Sequence, residues 1–236
     1  MTQEEIRVIL NEMAEERYRH FSASLLPGID NILGVRLPNL RMVAKKIAKE
    51  DWKLCMAWKD KKYFEETMLQ AMVLGYAKAD INELLAVLAS FIACIDNWSV
   101  NDSLCSSFKA AKQYQQEVWD FLMGYKDSSN EFEARFVAVM LRAYYINDNY
   151  IDKTLEVLGN IDTTKYYASM GTAWAFADAW AAYSTKTKKF LKEHTPDSVT
   201  YYKILQKCLQ SYKISIEDKE YIKKEKNLFK MSQNHF

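Results

Sequence analysis

Residues 80–97 read Asp80-Ile81-Asn82-Glu83-Leu84-Leu85-Ala86-Val87-Leu88-Ala89-Ser90-Phe91-Ile92-Ala93-Cys94-Ile95-Asp96-Asn97. Asp80 and Glu83 have the spacing of a capping box, which opens a helix just before an apolar run. The run from Leu84 to Ile95 fills that helix, and Asp96-Asn97 offers caps for a second one carrying Trp98, Asp102 and Cys105 on one side. Interrupted by Ser90, the run is too short for the about 20 residues that cross a bilayer, so no membrane partner is expected.

The same pattern extends in both directions. Ile6, Ile9, Leu10, Met13, Ala14 and Tyr18 recur at three- and four-residue intervals and form one apolar helical face. A first break falls at Leu26-Pro27-Gly28, and a second helix is expected from near Pro38, because proline is tolerated in a first turn. Asp127-Ser128-Ser129-Asn130 precedes a helix over about 131–145, and Asn147-Asp148 precedes one ending near Gly159. Thr163-Thr164 opens a long segment to about Tyr183, and two more helices follow Pro196 and Glu217. The 236 residues hold 6 Gly and 3 Pro, far below the combined average of about 12%, so turn-rich sheet folds are poorly served. The expected architecture is all-α: a HEAT-like helical-repeat solenoid of about twelve helices in antiparallel pairs, forming a single domain over 1–236.

The net charge of +1 conceals a gradient. Residues 51–185 carry 12 Lys and Arg against 18 Asp and Glu, whereas residues 186–236 carry 12 against 6. The basic C-terminal fifth reads first as a solvated lysine-rich surface. Cys55, Cys94, Cys105 and Cys208 lack regular spacing and read as reduced, mostly packed thiols. Met1 is followed by a polar segment, so a cytoplasmic protein is expected. His20, His194 and His235 are scattered, and no metal motif, Gly-rich phosphate loop or serine nucleophile elbow occurs. No cofactor or metal is expected.

What remains is aromatic and acidic. Trp98 and Asp102, four residues apart, share a helical face. Arg135 follows Asp102 by 33 residues and Trp174 follows Arg135 by 39, each interval close to one helix pair. Such residues can line one cleft of a repeat protein. Each also has a plain structural reading: packing for the indoles, a solvated charge for Asp102, and an ion pair with Glu131 for Arg135. Trp52, Trp58, Trp119 and Trp180 are assigned to packing.

The segments Gly34-Val35-Arg36-Leu37-Pro38-Asn39-Leu40-Arg41, Trp98 to Asp102, Phe132-Glu133-Ala134-Arg135 and Tyr166-Tyr167-Ala168-Ser169-Met170-Gly171-Thr172-Ala173-Trp174 together resemble the AlkD-type DNA alkylation repair glycosylases. The resemblance covers about residues 5–210. It implies a HEAT-like fold and hydrolysis of the N-glycosidic bond of N3- or N7-alkylated purines in duplex DNA, without obligatory base extrusion, by a monomer. By the same resemblance Asp102 matches the catalytic aspartate. Trp98 and Trp174 match the two indoles at the lesion, and Arg135 matches an arginine that holds the DNA backbone.

One departure stands out after Trp174. The next turn reads Ala175-Phe176-Ala177-Asp178 where a basic residue is expected, and the acidic middle disfavours phosphate binding. Two rival expectations follow from these features: a catalytically silent module that binds DNA or RNA structure, and a protein-interaction scaffold.

Overall fold

A computed structural model describes residues 1–233 and, in side-chain detail, residues up to 229; His235 lies outside the described residues. These contain fifteen helices and no strand. The first nine are α1 (Gln3–Glu12), α2 (Glu16–Leu25), α3 (Leu37–Glu50), α4 (Trp52–Met56), α5 (Phe64–Tyr76), α6 (Ile81–Ile92), α7 (Trp98–Ser107), α8 (Ala110–Gln113) and α9 (Gln115–Met123). The rest are α10 (Glu131–Tyr144), α11 (Ile151–Asn160), α12 (Tyr166–Ala182), α13 (Ser184–Glu193), α14 (Ser198–Gln210) and α15 (Ile216–Gln233). The chain divides into two compact units, Met1–Val118 and the residues from Trp119 onward.

The expected count of about twelve is corrected to fifteen among the described residues. The apolar face from Ile6 to Tyr18 does not make one helix. Ala14 pairs with Val35 in an isolated bridge, and the Glu15 amide donates to Gly34 O at 3.0 Å, so the chain breaks between α1 and α2. Helices α4 and α8 are single turns of five and four residues. The capping box at 80–83 is also only half made. Asp80 accepts from the Asn82 amide at 2.9 Å, while Glu83 pairs with Lys53. Elsewhere the local signals hold: Pro38 sits in the first turn of α3, Asn97 caps α7 and Asn130 caps α10.

In the first unit α5 is the centre, and α3 and α7 pack on it. Eleven of its thirteen residues are buried, as a helix enclosed on all sides requires. At its C-terminal end Gly75 permits the approach of α7. A Cβ on Gly75 would meet Ser107 Cβ at 2.5 Å and the Ser107 carbonyl carbon at 2.6 Å, and Gly75 O accepts from the Lys109 amide at 3.0 Å. Gly75→Ala is therefore expected to cost about 1–3 kcal/mol by overpacking. Urea unfolding followed by circular dichroism checks this, and an unchanged midpoint would refute it.

The second unit repeats the plan, with α12 central and α10 and α14 on it. Arg135, in the second turn of α10, bonds Tyr167 in the first turn of α12, and Ser169 and Thr200 join the first turns of α12 and α14. These three helices consequently run parallel, and the helices that connect them along the chain, α11 and α13, pack on α12 and on each other. Alternate helices stacked in this way are the helical-repeat arrangement.

Trp52, Trp58, Trp119 and Trp180 are buried, as packing residues should be. Cys55, Cys105 and Cys208 are buried and Cys94 is exposed, all as free thiols. Burial pushes the Cys55 and Cys208 thiols up to about 12, which keeps them protonated and unreactive. No described helix is long and apolar enough to cross a membrane.

Candidate functional site

Trp98 is the first residue of α7. Asn97, the N-cap, accepts from the Val100 amide at 3.0 Å and so fixes how the helix starts. The Trp98 indole N–H donates to Leu25 O at 3.1 Å, at the last residue of α2. The ring is half-buried, and within its unit no cation or second ring lies over it. Asp102, one turn further along α7, is also half-buried and accepts from Asn101 Nδ2 at 3.2 Å. The i, i+4 placement read from the sequence is thus present on α7, with both side chains reachable by solvent.

Next to α7 stands an unusual helix. No residue of α2 is buried, and Phe21 and Leu25 are exposed on it. The helix is held from its ends. Arg36 grips Glu15 with two bonds of 2.7 and 2.8 Å and lies over the Tyr18 ring; this pairing holds the Glu15 carboxyl below its usual range. The segment before α3 is seated by Glu65, 3% exposed. Its carboxylate accepts from the amides of Leu33, Gly34 and Val35 at 2.9, 2.8 and 3.2 Å. Gly34 has φ +98°, and a Cβ there would meet Glu15 O at 2.7 Å, so glycine is required. The quoted Gly34–Arg41 motif therefore fixes the backbone beside α2.

In the second unit Glu131 and Arg135, a turn apart on α10, hold both backbone polar groups of Tyr167. Glu131 Oε1 accepts from the Tyr167 amide at 2.5 Å, and Arg135 Nη1 donates to Tyr167 O at 2.9 Å. Arg135 is 6% exposed. A phosphate reaching this guanidinium has to compete with the Tyr167 carbonyl.

Trp174, half-buried on α12, carries a cation of the protein's own. The guanidinium carbon of Arg142 lies 3.4 Å from the ring centroid, and Arg142 Nε is 2.7 Å from Asp178 Oδ2. Lys213 approaches the other oxygen of Asp178 at 3.8 Å. Asp178, which sequence reading registers only as a missing basic residue, is thus the counter-charge of an arginine from the neighbouring helix. Arg142 escapes sequence reasoning altogether. A signal exists, since it lies seven residues after Arg135 and so two turns along the same face of α10.

The structure places Trp98 with Asp102 on α7 of the first unit and Arg135 near α12, which carries Trp174, in the second. Among the described residues no group of three or more His, Cys, Asp or Glu is arranged to hold a metal ion. No curated protein and no solved structure matches the chain. The model of one family does, described as DNA alkylation repair enzyme, and it covers residues 6–203, which include all four of these side chains. With that match spanning most of its length, the chain belongs to the DNA alkylation repair enzyme family.

Proposed function

We propose that this protein is a DNA glycosylase that excises N3- or N7-alkylated purines from duplex DNA. The observation that carries the reading is the solvent-reachable Trp98 and Asp102 pair on α7, in a member of a DNA repair family. An alkylated purine of this kind is cationic and leaves without a general acid. The C1′–N bond breaks with its electron pair going to the base, and positive charge develops on the deoxyribose.

Asp102 stabilises that charge and takes a proton from the water that adds to C1′. The Trp98 face attracts a cation by about 0.5–2 kcal/mol, which favours the charged base and the sugar cation alike. Trp174 and Arg135 complete the proposed substrate-binding set. Arg135 contributes by fixing the first turn of α12 through Tyr167 as well as by its charge. Neither a metal nor an organic cofactor is required by this chemistry.

The test is release of free base from duplex DNA carrying 7-methylguanine or 3-methyladenine. Release above the spontaneous rate is expected, and release at the spontaneous rate overturns the proposal. The Arg142 guanidinium on Trp174 favours one second reading, a module that binds DNA structure without cleaving any bond. That reading predicts salt-dependent duplex binding with no base released.

A further inference from the structure

Resting on the glycosylase reading, the two tryptophans assigned to the lesion differ in a way that bears on substrate choice. Within its unit no cation or second ring lies over half-buried Trp98, whereas a guanidinium covers one face of Trp174. At 3.4 Å from the centroid the Arg142 guanidinium is in van der Waals contact with the indole and leaves no space for another group on that side.

It is also held there. Asp178 pairs with it from one turn along α12, and both side chains are mostly withdrawn from water, at 22% and 19% exposure. Partial desolvation strengthens the contact with the ring and the ion pair alike. A second cation brought to this ring meets a resident positive charge, so the attraction of the indole for cations is already spent.

We propose that Arg142 is a specificity-determining residue: by occupying the cation position on Trp174, it lowers the preference of this protein for positively charged over uncharged purine lesions. Asp178 helps to hold the arginine there. The charge-selective contribution then falls to Trp98, and Trp174 serves as a flat wall faced with guanidinium.

The experiment compares binding of two duplexes by fluorescence anisotropy. One carries hydrolysis-resistant 2′-fluoro-7-methylguanine, which is cationic; the other carries its uncharged 7-deaza-7-methyl analogue. Arg142→Met, which keeps apolar bulk on the ring and removes the charge, is expected to raise the ratio of the two affinities in favour of the cationic duplex by about 2- to 30-fold, the range of a cation–π contact. Asp178→Asn keeps the arginine, removes the carboxylate paired with it on α12, and is expected to raise the ratio less.

An unchanged ratio in Arg142→Met, with binding to both duplexes retained, overturns the inference. The ratio is read from binding, so a protein that releases no base loses the glycosylase reading and still reports on Arg142. Should neither duplex bind, tryptophan fluorescence titrations with N7-methylguanosine and guanosine give the same comparison. There the cationic nucleoside must gain over the neutral one in Arg142→Met, and no gain is the overturning result.

Discussion

Asp102→Asn is expected to leave the protein folded and to reduce release of 7-methylguanine from duplex DNA by about two to three orders of magnitude, the cost of removing one preorganised electrostatic contact to a transition state. The substitution keeps the shape and takes away only the charge. Asp102 lies inside α7, after a first turn fixed by Asn97, and is half-buried. Affinity for the intact duplex should change little, because the positive charge on the sugar appears only as the bond breaks. Single-turnover release with equal protein and lesion concentrations checks this. Full activity in the variant would remove Asp102 from the mechanism, whatever the fate of the other residues.

Glu65→Ala is expected to produce the largest loss of stability among single changes in the first unit, roughly 3 kcal/mol or more. Three backbone amides, of Leu33, Gly34 and Val35, converge on this one buried carboxylate. Each buried donor left without an acceptor costs about 1–3 kcal/mol. Glu65→Gln retains an acceptor oxygen and should cost less, which separates loss of the acceptor from loss of side-chain volume. Urea unfolding at neutral pH measures both. A loss below about 1 kcal/mol in Glu65→Ala would mean that water reaches these amides.

Local features of the fold were readable because local chemistry causes them. Asn97, Asn130 and Pro38 each act within three or four residues of their own position, and a sequence window sees that whole range. The break between α1 and α2 was hidden, since it depends on Ala14 meeting Val35 from 21 residues away. Glu65 and Glu66 look like surface charges in a row, yet both are buried. Their partners come from the 33–35 segment for one, and from Gln3, Arg7 and the turn before α5 for the other.

The site divides along the same line. The Trp98 and Asp102 pairing follows from helical pitch, and the quoted motifs anticipated the family. Arg142 is not legible there, because its meaning depends on which turn of α12 lies against which turn of α10, a register set by the Tyr167 contacts and by Gly171, where an added Cβ would come within 3.1 Å of Arg135 Cγ.

The bond from the Trp98 indole to Leu25 O joins two things that are usually independent. For the ring it is the polar contact that sets orientation. For α2, which has no buried side chain, it is one of a few moorings in place of a hydrophobic core. If Trp98 meets a base as proposed, turning the ring would release one of the moorings of α2. On the proposed reading, order at the C-terminal end of α2 and occupancy of Trp98 are then coupled through one bond.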